Sequence, residues 1–252
     1  MKFLEFTPQQ DETLVFLHGG NVAGWMWGEQ VPAFGDYRIL VPDLPGFGES
    51  NDLEWVSTDD AADRVAAMLD GRAAHVVGLS LGSSVALALA ARHPSLVQSL
   101  FLASAQVAPP RWRDRLAVPL LLRFWTQPRF WSALARSYGL TGDDAALFVT
   151  TGLGIRRETA ERIYAEVLRG VPAEQLALVT APTLAVAGEK DSTAVTGASL
   201  ERVRREIAGS LVAIAPRMHH QWNIENVELF NRALRSWLDA RAIDTELDTV
   251  PE

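Results

Sequence analysis

The first chemistry legible in the chain is a serine set between glycines, Gly78-Leu79-Ser80-Leu81-Gly82, followed at once by the alanine-rich run Ser83–Arg92. Small-x-Ser-x-small at the seam between a strand pattern and a helix pattern has a mechanical reason. A nucleophile on so tight a turn needs bare neighbours, because flanking side chains would strike the adjacent strand and helix. The turn lifts the hydroxyl to the carboxyl ends of the strands, where open α/β sheets bind ligands, and puts a helix N-terminus beneath the reacting centre. A serine hydroxyl is a poor nucleophile near neutral pH and requires a base. Of the five histidines, His75 falls inside a strand pattern, His93 ends a helix before Pro94, and His18 precedes the serine in His18-Gly19-Gly20. That leaves His219-His220, in a loop between the last apolar strand run and the last helix. An acid for the second ring nitrogen is offered by Gly188-Glu189-Lys190-Asp191 at a strand end, with Asp191 deeper in the loop. Hydroxyl, carboxylate and imidazole in that chain order are the parts of a nucleophilic acyl-transfer site. An imidazole base predicts activity that fades below roughly pH 6–7.

The elements that must position these groups follow from periodicity. Short β-branched or leucine-rich runs predict strands over 12–17, 37–42, 74–78, 97–103, 183–188 and 211–215. Helical patterns occupy 59–69, 83–92, 196–208 and 227–241. Strands alternating with helices predict an α/β fold with a mostly parallel, doubly wound sheet. From Ala108 to Leu178 the alternation stops, and helical stretches are punctuated by Pro109-Pro110, Pro128, Gly139, Gly152, Gly154 and Pro172. The expected organisation is a hydrolytic core over 1–107 and 179–252, interrupted by a helical cap or lid over 108–178. The cap is basic in an acidic protein, with ten arginines between Arg111 and Arg169 against seven carboxylates. The acidic tail from Asp244 to Glu252 is expected to fray.

His18-Gly19-Gly20 with Trp27, Asp43-Leu-Pro-Gly-Phe-Gly-Glu-Ser50, Gly78-Leu-Ser-Leu-Gly82, Gly188-Glu-Lys-Asp191 and Pro216-Arg-Met-His-His220 with Glu225 together resemble the α/β-hydrolase superfamily. The resemblance covers nearly the whole chain outside the insert. Within the branch of small capped esterases and peroxidase-like hydrolases, the chain is most similar to the pimeloyl-carrier-protein methyl ester esterases of biotin synthesis. Relatives commonly read Pro-Gly-x-Gly-His where this chain has Pro216 to His220, which points to His220. Arg217 and His219 depart from that pattern at its two glycines, so His219 stays a rival. The resemblance implies a serine hydrolase of carboxylic esters or thioesters with a small or medium apolar acyl group. Ser80 would attack, His220 would move the proton, and Asp191 would orient the ring, without metal or cofactor. The backbone N–H groups of Leu81 and Gly20 would form the oxyanion hole, each worth ~2.7–4 kcal/mol of transition-state stabilisation. Trp27, Trp125, Trp131 and Trp222 are candidates for an apolar pocket, with Trp25, Trp112, Phe124 and Phe130 near them in sequence. Other functions on the same frame are a small-molecule-binding signalling protein, a lyase, a perhydrolase or a C–C hydrolase. Haloalkane dehalogenation is disfavoured, because Ser80 stands where those enzymes carry aspartate.

Composition narrows partners. A net charge of −8 over 252 residues argues against nucleic acid, whose binders show a basic surplus. The absence of cysteine removes disulfides and thiolate metal sites. No run approaches the ~20 apolar residues of a membrane span. The N-terminal apolar stretch is broken by Gln9-Gln10-Asp11-Glu12, so a cytoplasmic address is expected. The arginine-rich cap makes an acidic acyl-carrier protein a candidate partner beside the small ester.

Overall fold

Six apolar runs become six mutually parallel strands. They are β2 (Thr13–Leu17), β3 (Arg38–Pro42), β4 (Ala74–Leu79), β5 (Val97–Ala103), β6 (Thr183–Gly188) and β7 (Leu211–Ala215). Every residue of β2, β4 and β6 is buried, as expected of strands covered on both faces. The computed structural model describes residues 1–111 and 116–250. Trp112, Arg113, Asp114 and Arg115 of the insert, with Pro251 and Glu252 of the tail, lie outside the described residues.

Two further strands flank the predicted six. β1 (Phe3–Phe6) runs antiparallel to β3, and the two-residue β8 (Asp248–Thr249) runs antiparallel to β7. The order is β1-β3-β2-β4-β5-β6-β7-β8. Over its described residues, 244–250, the acidic tail is therefore pinned, contrary to the expectation of fraying. Asp244 is buried and accepts from Arg232 at 3.0 Å and from the Glu246 N–H at 2.9 Å.

Helix α1 (Thr58–Leu69) starts at Ser57, whose hydroxyl accepts from the Asp60 N–H at 3.0 Å, with Asp59 and Asp60 in its first turn. Helix α2 (Leu81–Arg92) is alanine-rich because it is enclosed: nine of its twelve residues are buried. Between β5 and β6 come α3 (Ala117–Arg123), α4 (Pro128–Ser137), α5 (Gly142–Gly154), α6 (Arg157–Val167) and α7 (Ala173–Ala177). No strand interrupts them among the described residues. The pattern over 196–208 divides into a π-helical turn, Ala194–Ser199, and α8 (Leu200–Glu206). After β7 the chain forms α9 (Trp222–Glu225) and α10 (Val227–Ala240), the latter capped by Asn226 at 3.1 Å from the Leu229 N–H. No helix among the described residues is long and apolar enough to cross a membrane.

The insert leaves and rejoins the core at one clamp. The Val171 N–H donates to the Val107 carbonyl at 2.9 Å, and Arg202 of α8 donates to the carbonyls of Val107 and Val171 at 3.0 and 2.9 Å. Ser199 Oγ accepts from the N–H groups of Val107 and Ala108, both at 3.0 Å. Further along, Arg156 and Arg162 donate to the Leu53 and Trp55 carbonyls, so part of the basic surplus fastens the helical insert to the chain between β3 and α1.

Candidate active site

Ser80 sits between the end of β4 and the start of α2 with φ +52° and ψ −109°. That combination lies outside the left-handed helical well and costs ~1–3 kcal/mol. Its neighbours show why the flanks are glycine. A Cβ on Gly82 would lie 2.1 Å from the Leu17 carbonyl oxygen, and one on Gly78 would lie 2.6 Å from the Gly82 backbone. These are backbone obstacles that no rotamer change relieves. The Ser80 N–H donates to the Ala103 carbonyl at 2.9 Å, which ties the turn to β5.

The loop after β2 closes over the start of α2. A Cβ on Gly20 would lie 4.0 Å from Leu81 Cβ, and one on Gly19 would meet the Leu79 side chain at 2.9 Å. Neither the Leu81 nor the Gly20 N–H has a partner among the described residues, so both donors are free for an oxyanion. His18 holds this loop. Its Nε2 accepts from the Leu44 N–H at 2.9 Å, which places the ring proton on Nδ1, facing the Gly19 carbonyl at 2.7 Å. Burial pushes the His18 pKa down against the opposing pull of the Gly19 carbonyl and the Asp43 carboxylate, and the ring is neutral.

The two imidazoles meet different carboxylates. His220 Nδ1 lies 2.9 and 3.0 Å from the two Asp191 carboxylate oxygens. His219 instead directs Nδ1 to Glu225 Oε1 at 2.8 Å, while its N–H donates to Glu225 Oε2 at 2.6 Å. The two carboxylates of the β6 loop divide in the same way: Glu189 accepts from the Arg217 N–H at 2.6 Å, and Asp191 takes the ring. The loops can approach this closely because residue 188 is glycine, where a Cβ would fall 2.4 Å from the His219 carbonyl oxygen. With Nδ1 as donor, Nε2 of His220 keeps its lone pair. Asp191 is 5% and His220 20% exposed, so the pair is largely shielded from water. Ser80 Oγ makes no hydrogen bond among the described residues.

Ser80, Leu81, Gly20, Asp191 and His220 all line one cavity of about 400 Å³. The helical insert contributes Trp125, Tyr138, Ile155, Ile163, Tyr164 and Val167 to its walls. Tyr138 stacks on His220, with ring centroids 6.1 Å apart and planes at 27°. Burial is the main cause that raises the pKa values of the Tyr138 and Tyr164 phenols, so both stay protonated donors. Among the described residues, no group of three or more histidine or carboxylate side chains is placed to hold a metal ion.

Residues 12–169 match the family described as alpha/beta hydrolase fold. The chain belongs to that family. An "AB hydrolase superfamily protein" of Gibberella zeae is 27% identical over 252 residues, covering 95% of this chain and 84% of that protein. A pimeloyl-[acyl-carrier protein] methyl ester esterase of Aeromonas hydrophila is 42% identical over 95 residues, covering 36% of this chain and 37% of the esterase. This chain thus matches little more than a third of that esterase's length. A hydrolase from Pseudomonas aeruginosa PA01 shares the fold at a TM-score of 0.81 and 24% identity, with 94% of each chain covered.

On this hydrolase fold the four tryptophans expected at the pocket separate. Trp125 lines the cavity and donates from Nε1 to the Ile155 carbonyl at 2.9 Å. Trp27 and Trp222 do not line it: both are fully buried around Phe230, at centroid distances of 5.7 and 4.5 Å. Trp131 is sealed inside the helical insert, its ring seated over Gly152, where a Cβ would come within 2.3 Å. Of the other aromatics, Trp25 is half-buried and bonds Thr151 at 3.0 Å, while Phe124 is exposed. Residue type marked these positions as apolar but not as facing a ligand. Tyr138 and Tyr164 carried no sequence signal, since each is one aromatic in a helical stretch.

Proposed function

We propose that the chain is a serine esterase acting on carboxylic esters or thioesters with a small or medium apolar acyl group. The observation that carries this reading is the Asp191–His220 pair, with both carboxylate oxygens on Nδ1, in the same cavity as the strained Ser80. His220 Nε2 takes the Ser80 proton as Oγ adds to the carbonyl. The Leu81 and Gly20 N–H groups hold the oxyanion, and the positive end of α2 adds to the same field. Collapse of the tetrahedral adduct expels the alcohol or thiol, which receives the proton from His220. Water activated by the same nitrogen then releases the acid and regenerates Ser80. The names of the esterase relatives support an acyl-carrier protein as bearer of the ester. The exposed cap arginines Arg123 and Arg136 supply the cationic face such an acidic partner would meet.

The test is turnover of p-nitrophenyl acetate through decanoate by the wild type, Ser80→Ala, His220→Ala and His219→Ala. Ser80→Ala and His220→Ala should lose at least a thousandfold in kcat, and His219→Ala less than tenfold. Equal turnover by Ser80→Ala would remove the serine from the reaction.

A further inference from the structure

Gly20, the proposed oxyanion donor from the loop after β2, is gripped from two sides. From the core, His18 Nε2 accepts from the Leu44 N–H at 2.9 Å, and Asp43 Oδ1 accepts from the Gly24 N–H at 2.7 Å. From the helical insert, Thr151 Oγ1 of α5 accepts from Trp25 Nε1 at 3.0 Å. The residue next to Gly20 is held from the insert as well, because the Asn21 side chain hydrogen-bonds the Tyr164 phenol of α6. That contact pulls the phenol pKa down while burial raises it, as an amide N–H donating to the oxygen does.

The backbone and the packing suit both partners to this contact. Asn21 has φ +69°, a left-handed conformation that asparagine tolerates and bulkier side chains resist. Asn21 and Tyr164 line the same cavity as Ser80 and Gly20. The Tyr164 ring meets Trp125 edge-on, with centroids 6.2 Å apart and planes at 90°, so the phenol stands on a packed wall. Helix α6 braces the neighbouring loop too: a Cβ on Gly46, at φ +86°, would lie 2.6 Å from Thr159 Cγ2. That loop carries Leu44, the partner of His18.

We infer that Asn21 and Tyr164 are positioning residues for the reaction, holding the Gly20 N–H where the carbonyl oxygen gains its charge. The helical insert then takes part in transition-state stabilisation as well as in enclosing the cavity. This deepens the esterase reading and rests on it. Displacing a donor costs less than deleting one, so the expected loss in kcat is about fivefold to twentyfold, below the ~10²–10³ of a missing donor.

Tyr164→Phe keeps the ring on Trp125 and drops the hydroxyl, whereas Asn21→Gly keeps the left-handed backbone and drops the amide. Each should lower kcat for p-nitrophenyl acetate by about fivefold to twentyfold and leave KM within about twofold. Because both remove one contact, the double variant should turn over no worse than about half as fast as the slower single one. The ketone 1,1,1-trifluorobutan-2-one reads the same geometry without turnover. Ser80 Oγ adds to its carbonyl carbon, the hydroxyl proton passes to His220, and the ketone oxygen becomes the oxyanion. Its inhibition constant should rise in each variant by about the factor that kcat/KM falls. Unchanged kcat and ketone affinity, or losses that multiply in the double variant, would overturn the inference and leave the esterase standing. Ketone affinity that depends on Asn21 and Tyr164, with no ester cleaved by the wild type, would keep the inference and discard the turnover. A wild type that neither cleaves ester nor binds the ketone would bring down both.

Discussion

The floor and the roof of the nucleophile cavity are held by different physics. On the floor, backbone meets backbone: Gly82 against the Leu17 carbonyl at 2.1 Å and Gly188 against the His219 carbonyl at 2.4 Å, each measured from an imagined Cβ. In the roof, side chain meets side chain: Trp125 on Trp131 at 4.6 Å, Trp131 on Phe148 at 5.8 Å, Phe148 on Tyr138 at 5.7 Å, and Tyr138 on His220 at 6.1 Å. Backbone contacts dictate a residue type, whereas ring clusters accept several arrangements of similar volume. The floor should therefore be brittle and the roof tolerant.

Gly82→Ala is the harshest probe of that difference. A methyl facing a carbonyl oxygen has to move β2 or α2, costing about 3 kcal/mol or more by denaturant melts. Esterase kcat/KM should fall at least a hundredfold, because the elbow shifts with them. Gly152→Ala makes the equivalent intrusion in the roof, but against an indole side chain and not against backbone. It should cost ~1–3 kcal/mol and change short-ester turnover less than tenfold. Equal damage from the two would erase the contrast.

Tyr138 is where roof touches floor, so its replacement grades the coupling. Tyr138→Leu should lower kcat about threefold to tenfold, the worth of an aromatic pair at ~0.5–1.5 kcal/mol, and Tyr138→Phe should restore it. Identical losses in both variants would assign the effect to the hydroxyl instead of the stack. Acid offers a gentler probe weighted to the floor, since the chain has no histidine between His93 and His219. Burial, aided by Arg241, lowers the His75 pKa from 6.5 to about 4. The native state then binds fewer protons than the unfolded chain, so stability present above pH 6.5 is lost as pH falls toward 4. His75→Gln should flatten that part of a urea-midpoint profile; an unchanged slope would exclude His75 as its source. The smallest effect is expected at Arg217, a side-chain-bearing residue at φ +66°. Arg217→Gly relieves the left-handed backbone but loosens the unfolded chain, leaving a net gain within about 1 kcal/mol in thermal melts.

The same division explains what could be read from the chain. Six strands and the glycine-flanked elbow were legible, because buried parallel strands need continuous apolar runs and the turn needs missing side chains. His219 and His220 were not separable from their residue types. Their neighbours differ only after Gly188 lets two loops close, giving one ring Glu225 and the other Asp191. The tryptophans failed for a related reason: Trp27, Trp131 and Trp222 satisfy the same apolar pattern as Trp125 from the far side of a wall. β8 left no trace because Asp-Thr has no strand pattern, and its place is set by ion pairs of the preceding turn, Asp244 and Glu246 on Arg232.

Arg202 reaches both crossings of the insert with a single guanidinium, and its own charge is met by Glu206 at 2.8 Å. The departing and returning strands of chain are thus stitched at one point, like the two sides of a closed purse. A roof fastened there has its two roots held at one spacing by a single side chain.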